Sequence, residues 1–148
     1  IGLSNINAIL ENHGQGPPLF KSETSSLLSS QLSVVEYTYV EAKGEPFSIN
    51  SVTYPLYHNA LWEYHYYWYG KERYKYLPDW LGGEQLPMYS YLKRINKGKD
   101  QMYMIIDNTY RIPNGQKDKG RTWAEEQGQI VDEKSIGGYT VLKIEPDS

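Results

Sequence analysis

Three side chains in the middle of the sequence are of types that bind metals: His58, Glu63 and His65. If residues 61–69 form a strand, Glu63 and His65 share one of its faces, because side chains two apart point the same way. His58 lies in the preceding turn and could complete a two-histidine, one-carboxylate site for a metal or for acid–base chemistry. This spacing is not a motif with an established mechanism, and an ordinary hydrogen-bonded surface pair explains it better. No metal site is assigned and no cofactor is expected.

A second candidate is Glu41-Ala42-Lys43, at the end of a segment that is predicted to be a strand. It resembles the second half of the PD-(D/E)xK nuclease signature. In that signature the carboxylate holds a divalent metal and the lysine stabilises developing charge. The signature also requires an upstream aspartate, but the first aspartate here is Asp79, so Glu11 or Glu23 would have to replace it. The competing interpretation of Glu41 and Lys43 is a solvated strand end before a turn.

Tyrosine is the outlier of the composition, with 15 tyrosines against 2 phenylalanines. Eight of the tyrosines fall within residues 54–76, around the segment 61–69. On a strand this segment would place Trp62, Tyr64, Tyr66 and Trp68 on one face and Glu63, His65, Tyr67 and Tyr69 on the other. The first face is predicted to be core, or else an exposed aromatic ladder. The second has polar tips throughout, which fits either a partly hydrated recognition surface or a merely solvated sheet face.

The alternation of apolar residues and turn signals predicts the other elements. A short helix is expected at 1–13 and a polar loop at 22–30. A further loop is expected at 113–120 and a helical turn at 121–127. Strands are expected at 32–43, 47–54, 61–69, 73–77, 89–95, 101–112 and 139–145. This pattern predicts a mainly β fold, an antiparallel sandwich or partial barrel with a short N-terminal helix. The alternative is an α+β fold with the helix packed on one sheet face. Strands that do not alternate with long helices argue against a parallel α/β fold.

Length and composition narrow the possible functions. The 148 residues predict a single globular domain, with an N-terminal helix and polar linker at 1–31 and a β-rich core at 32–148. The absence of cysteine excludes thiolate metal sites and thiol redox chemistry. The net charge of −3 argues against nucleic acid as a partner, and no apolar run reaches the roughly 18 residues of a membrane span. The start at Ile1 fits either a processed mature form or a cut fragment.

High aromatic density without a convergent catalytic set favours a non-enzymatic binding or assembly domain. Its partner is expected to be a protein or a carbohydrate, bound by Glu63, His65, Tyr67 and Tyr69 together with Trp62 and Trp68. Two alternatives stay open. One is a small metal-dependent hydrolase or nuclease, and the other is a self-associating structural subunit of a surface appendage or virion. An extracellular or cell-surface location is favoured over an intracellular one.

Overall fold

The computed structural model of the chain describes residues 27–83 and 91–147. The helix predicted for residues 1–13 lies outside these ranges, as do Glu11 and Glu23. In the described part of the chain, no helix combines the length and the apolar character that crossing a membrane requires.

The described residues form helices and strands in an alternating order. In chain order the elements are α1 (Leu28–Ala42), β1 (Phe47–Val52), α2 (Ala60–His65), a π-helical turn (Tyr66–Gly70), α3 (Lys71–Tyr74), β2 (Asp79–Trp80), β3 (Gln101–Asp107), α4 (Asn114–Gln127), β4 (Gln129–Ile136) and β5 (Tyr139–Glu145). The backbone stays in the right-handed helical region through both junctions of the π-helical turn. Residues 60–74 are therefore one continuous helix, called the aromatic helix below.

The five strands form one mixed sheet in the order β2-β1-β3-β5-β4. Strand β1 runs parallel to both β2 and β3, whereas β5 runs antiparallel to β3 and β4. The protein is thus α+β, which is closer to the alternative prediction than to the antiparallel sandwich. As predicted, the fold is not a parallel α/β fold, but the premise that strands do not alternate with helices was wrong, because the segment that connects β1 to β2 is helical.

The strand predicted at 32–43 is instead the major part of α1. Its buried residues recur at helical spacing: Ser30, Val34, Val35, Thr38, Tyr39 and Ala42. The β-branched and aromatic content of this segment favours a strand, but such propensities are weak and tertiary packing overrides them. The helix ends at Lys43, which adopts the left-handed conformation common at helix C-termini.

The strand predicted at 61–69 and its return strand at 73–77 are also wrong. The aromatic helix buries Trp62, His65, Tyr66 and Gly70 and half-buries Tyr69, which is the spacing of one helical face. The interior backbone N–H and C=O groups of a helix pair with one another, so one side of the helix can be buried against the sheet without leaving those groups unpaired. The aromatic content that suggested a strand belongs to both sides of this helix.

The strands predicted at 47–54, 101–112 and 139–145 are confirmed as β1, β3 and β5. The predicted loop at 113–120 and helical turn at 121–127 are together the single helix α4. Strand β4 was missed because it is an edge strand that is mostly exposed and rich in charge, so it lacks the alternation of a half-buried strand. The predicted strand at 89–95 lies partly outside the described residues, and its described part forms one isolated bridge between Arg94 and Trp80.

Both faces of the sheet are covered. The helices α1 and α2 pack with the π-helical turn on one face, where the buried residues are Val34, Val35, Tyr39, Ala42, Phe47, Ile49, Trp62, Tyr66, Trp80, Leu92, Tyr103, Ile105, Tyr139 and Val141. Helix α4 packs on the other face over a smaller cluster of Leu81, Met102, Met104, Ile106, Ala124, Leu142 and Ile144. Alternate residues of β1 and β3 supply the two clusters, as the twofold period of a strand requires.

The aromatic helix approaches α1 most closely at Gly70. A Cβ atom built on Gly70 would lie 2.6 Å from Cε2 of Tyr39. The Tyr39 ring cannot retreat, because it stacks on Tyr74 at a centroid distance of 4.3 Å and meets Phe47 edge-on at 5.1 Å. Its hydroxyl also donates to the carbonyl oxygen of Tyr76 at 2.7 Å. Glycine is therefore required at position 70 by space, since its φ of −63° suits any residue.

Replacing Gly70 by alanine is expected to lower the free energy of unfolding by about 1–3 kcal/mol, because overpacking forces the Tyr39 cluster apart. Urea unfolding followed by tryptophan fluorescence measures this change. The sign is diagnostic, since Gly→Ala inside a helix ordinarily stabilises by about 0.5–1 kcal/mol. The matched control is Gly115→Ala in α4, where an added Cβ meets nothing within 4 Å. Equal effects of the two substitutions would show that the contact with Tyr39 does not constrain the helix.

Candidate functional site

Four large aromatic side chains are exposed together on and beside the aromatic helix. Tyr64, Tyr67 and Trp68 project from the helix with 53%, 40% and 38% of their surface exposed, and Tyr91 from the loop before β3 is 37% exposed. These four residues are called the aromatic surface below. Large aromatic side chains supply much of the energy of interfaces, because each buries a large area at a small entropic cost.

Ring contacts connect the members of the aromatic surface. The rings of Tyr64 and Trp68, one helical turn apart, have centroids separated by 5.9 Å. Tyr67 stacks on Tyr91 at 4.3 Å with an angle of 19° between the ring planes. The ammonium group of Lys71, one turn beyond Tyr67, lies 5.0 Å from the centre of the Tyr67 ring. The surface is thus two aromatic pairs with a cation at one end.

His65, on the buried side of the aromatic helix, holds the side chain of Trp68 by a hydrogen bond. The indole Nε1–H of Trp68 donates to Nδ1 of His65 at 3.3 Å, so Nδ1 carries no proton. The proton lies on Nε2, which donates to Oε1 of Gln31 in α1 at 2.7 Å. His65 is 4% exposed, and burial lowers its pKa from 6.5 to about 4. The neutral imidazole therefore links the exposed indole to the neighbouring helix.

Glu63 positions Tyr91 in a similar way. Its buried carboxylate accepts a hydrogen bond from the backbone N–H of Tyr91 at 2.6 Å and another from the side-chain amide of Asn59. Burial raises the pKa of Glu63, while the backbone N–H groups of Tyr91 and Leu92 and the amide of Asn59 act in the opposite direction. This carboxylate ties the loop that carries Tyr91 to the helix that carries Tyr67.

The predicted binding residues do not share one sheet face, because they lie around a helix. Trp62 is fully buried, donates to the hydroxyl of Thr53 at 3.2 Å and packs edge-on against Tyr139. Tyr67 and Trp68 are exposed, whereas Glu63 and His65 support the surface from below. Tyr69 is half-buried, and its hydroxyl donates to Glu36 of α1 at 2.6 Å.

The histidine and carboxylate side chains considered as metal ligands have separate surroundings. His58 is exposed, while Glu63 and His65 are buried and hydrogen-bonded to different partners. In residues 27–83 and 91–147, no group of three histidine, cysteine, aspartate or glutamate side chains is placed to hold a metal ion. The carboxylate of Glu63 is a group of the type that binds metals, but its oxygens already accept hydrogen bonds from N–H groups.

Glu41 and Lys43 lie at the C-terminal end of α1, not at the end of a strand. They border an open groove with Asp100, Lys143 and Glu145 at the start of β3 and the end of β5. The carboxylate of Glu41 lies 3.7 Å from the ammonium group of Lys143. The strand-end geometry on which the resemblance to the nuclease signature depends is therefore not present at these two residues.

Two members of the aromatic surface, Tyr64 and Tyr91, were missed from the sequence. On a strand, Tyr64 shares the face of Trp62, which is predicted to be core or else an exposed aromatic ladder, and Tyr64 was not among the predicted binding residues. On a helix, Tyr64, Tyr67, Trp68 and Lys71 occupy positions i, i+3, i+4 and i+7 of one face. This helical spacing can be identified in the sequence once residues 60–74 are known to form a helix. Tyr91 had no such signal, because only the tertiary structure brings it to Tyr67.

Comparisons of the chain with protein-family models, with curated proteins and with solved structures gave no match. The functional argument therefore rests on the geometry of the described residues.

The buried His65 is expected to make stability depend on pH. Its folded pKa of about 4 lies below the unfolded value of 6.5, so the unfolded chain binds more protons between these values. The free energy of unfolding should fall as the pH drops through this window, by roughly 1.4 kcal/mol per unit of pKa shift. The substitution His65→Gln removes this titrating group. The free energy of unfolding of the wild type minus that of the variant should therefore decrease, or change sign, between pH 7 and pH 4. Urea unfolding at a series of pH values measures it.

The exposed His58 provides the matched control for this experiment. The variant His58→Gln should show the pH dependence of the wild type, since it changes an exposed position and leaves the buried His65 in place. Parallel stability curves for wild type and His65→Gln would contradict the burial-lowered pKa of His65.

Proposed function

We propose that this chain is a binding domain that contacts a protein partner through its aromatic surface. The observation that carries the proposal is the exposed set Tyr64, Tyr67, Trp68 and Lys71 at helical positions i, i+3, i+4 and i+7. This is the spacing with which an amphipathic helix docks into an apolar groove of another protein. A helix surface is convex, so its complement is a groove.

The rigidity of the surface supports the same proposal. The Trp68 indole donates to His65, and the Tyr91 ring stacks on Tyr67. The backbone N–H of Tyr91 donates to Glu63. These rings therefore need little ordering when a partner binds. Side chains that are already immobile lose less entropy on binding, which leaves more of the contact energy as affinity. The buried polar groups of the aromatic helix thus have a role in binding although they do not touch the partner.

The charges beside the surface indicate the chemistry of the groove. Lys71 lies over the Tyr67 ring, and the exposed Lys93 and Arg94 follow Tyr91 in the same loop. Glu72 is the one exposed acid adjacent to Lys71 in sequence. The proposed partner therefore has an apolar groove with an acidic rim, since complementary rim charges speed association and fix orientation.

The test uses Trp68→Ala and a partner identified by retention on the immobilised wild-type chain. The purified partner is titrated by calorimetry against wild type and variant. Loss of a central aromatic anchor is expected to weaken binding by about 2 kcal/mol or more, roughly 30-fold. The matched control is Tyr110→Ala, because Tyr110 is 79% exposed and lies outside the aromatic surface. Both variants should unfold within about 1 kcal/mol of the wild type.

A retained partner whose affinity survives Trp68→Ala, or is reduced equally by Tyr110→Ala, would contradict the proposal. Sedimentation of the wild type over a range of concentrations tests whether the partner is a second copy of the chain. Self-association that Trp68→Ala abolishes would identify a second copy of the chain as the partner. The chain would then be an assembly subunit that uses the same surface.

A further inference from the structure

A second candidate site lies on the sheet face that α4 covers. It is beside the point where the chain changes the direction in which it adds strands to the sheet. From β1 the chain passes to β2 on one side of it and then to β3 on the other side. The helix that follows β1 covers one sheet face, while α4, which follows β3, covers the other. In sheets with parallel strands, such a switch point leaves a crevice beyond the carboxyl ends of the strands, and small ligands commonly bind there.

This protein has a cavity of about 250 Å³ beside that switch point. It lies between the carboxyl-terminal half of β1, the loop after β1 and the first half of α4. The lining residues are Asn50, Ser51, Val52, Leu56, Tyr57, Gly83, Met104, Gln116, Lys119, Gly120 and Trp123. This volume is below the roughly 300–1,000 Å³ of sites for drug-sized ligands, which limits the occupant to about one ring.

The lining combines apolar walls with a few polar groups. Val52 and Met104 supply aliphatic surface, and Tyr57 and Trp123 supply aromatic rings, on which the apolar face of a sugar can stack. The side-chain oxygen of Asn50 accepts the backbone N–H of Ser51 at 2.8 Å, so its NH₂ group is the end left for a ligand. The amide of Gln116 lies 3.5 Å from the Tyr57 hydroxyl at the rim.

The charge of the cavity lining is positive. Lys119 is the one charged side chain among the described lining residues, and none of these residues carries a carboxylate. An anionic group on a ligand can therefore pair with Lys119 without repulsion from the lining itself. Hydrogen bonds that involve an ionised group are about twice as strong as neutral ones.

We propose that this cavity binds one ring of an acidic sugar. The pyranose ring would lie against Tyr57 and Trp123, its hydroxyl groups would meet the amides of Asn50 and Gln116, and its carboxylate or phosphate would pair with Lys119. The NH₂ group of Asn50 and the amide of Gln116 favour a ring with hydroxyl groups over an aromatic acid, because both can hydrogen-bond to hydroxyl oxygens. This site is separate from the aromatic surface, so either proposal can fail without the other.

The test is a titration of the ¹⁵N-labelled chain with glucuronate, glucose 6-phosphate, glucose and acetate, followed through the indole N–H signal of Trp123. The variant Trp123→Phe assigns that signal. A single ring is expected to bind with a Kd on the order of 1 mM. At least one of the two acidic sugars should bind at least fivefold more tightly than glucose, and acetate should leave the indole signal unchanged. Comparing glucuronate with glucose 6-phosphate distinguishes a carboxylate from a phosphate as the anion.

Two pairs of variants locate the binding. Lys119→Gln should weaken binding of the preferred acidic sugar at least fivefold while leaving binding of glucose unchanged, and Lys97→Gln, another exposed lysine, should change neither. Gly83→Leu places a side chain at the cavity wall, where an added Cβ meets nothing within 4 Å, and should abolish binding of every sugar. Gly115→Leu is its control, because an added Cβ there is equally unhindered but outside the cavity lining.

Three results would overturn the inference. One is an unshifted Trp123 signal at sugar concentrations roughly tenfold above the expected Kd. Another is equal affinity for glucose and both acidic sugars. The third is binding of an acidic sugar that persists in Gly83→Leu while the thermal melting of that variant matches the wild type, because the ligand would then occupy another place.

Discussion

The contact between the backbone of Gly70 and the ring of Tyr39 sets the distance between the two helices that cover one sheet face. Tyr39 lies at the centre of an aromatic cluster with Phe47, Tyr66 and Tyr74, and its hydroxyl group is bonded to the backbone at Tyr76. Any side chain at position 70 would occupy the space of this ring. Cores at native packing density cannot absorb such an intrusion without moving several side chains. The orientation of the aromatic helix, and of everything it exposes, depends on this contact.

The aromatic helix then performs two tasks with neighbouring residues. Its inner side contributes Trp62 and Tyr66 to the core, and its outer side presents Tyr64, Tyr67 and Trp68. Between the two sides lie Glu63 and His65, which are polar groups buried at some cost in free energy. Hydrogen bonds to Asn59, Tyr91 and Gln31 offset that cost, and the hydrogen bond from Trp68 to His65 holds the exposed indole. Glu63 and His65, two of the three side chains considered as metal ligands, thus position neighbouring groups in the described structure, whereas His58 is exposed.

The two candidate sites follow from different features of the fold. The aromatic surface is a local property of one helix and one loop, and it is convex. The cavity beside α4 is a property of the topology, because it arises where consecutive helices cover opposite faces of a parallel pair of strands. A convex surface suits a partner with a groove, and a concave one suits a small ring. The two proposals, a protein partner and an acidic sugar, therefore concern two different places on the molecule.

The sequence by itself determined three strands, each rich in apolar residues and bounded by turn signals. Strands β1, β3 and β5 are of this kind, and their twofold pattern is intrinsic to the strand backbone. It also determined that aromatic side chains dominate residues 54–76 and that thiol chemistry is excluded. The helices α1 and 60–74 were decided by tertiary structure, since their tyrosines and β-branched residues fit either a strand or a helix until the sheet offers a face to cover. Packing likewise decided which tyrosines are buried. It also decided the contact of Tyr67 with Tyr91, because a contact between residues 24 positions apart leaves no periodic signal in the sequence.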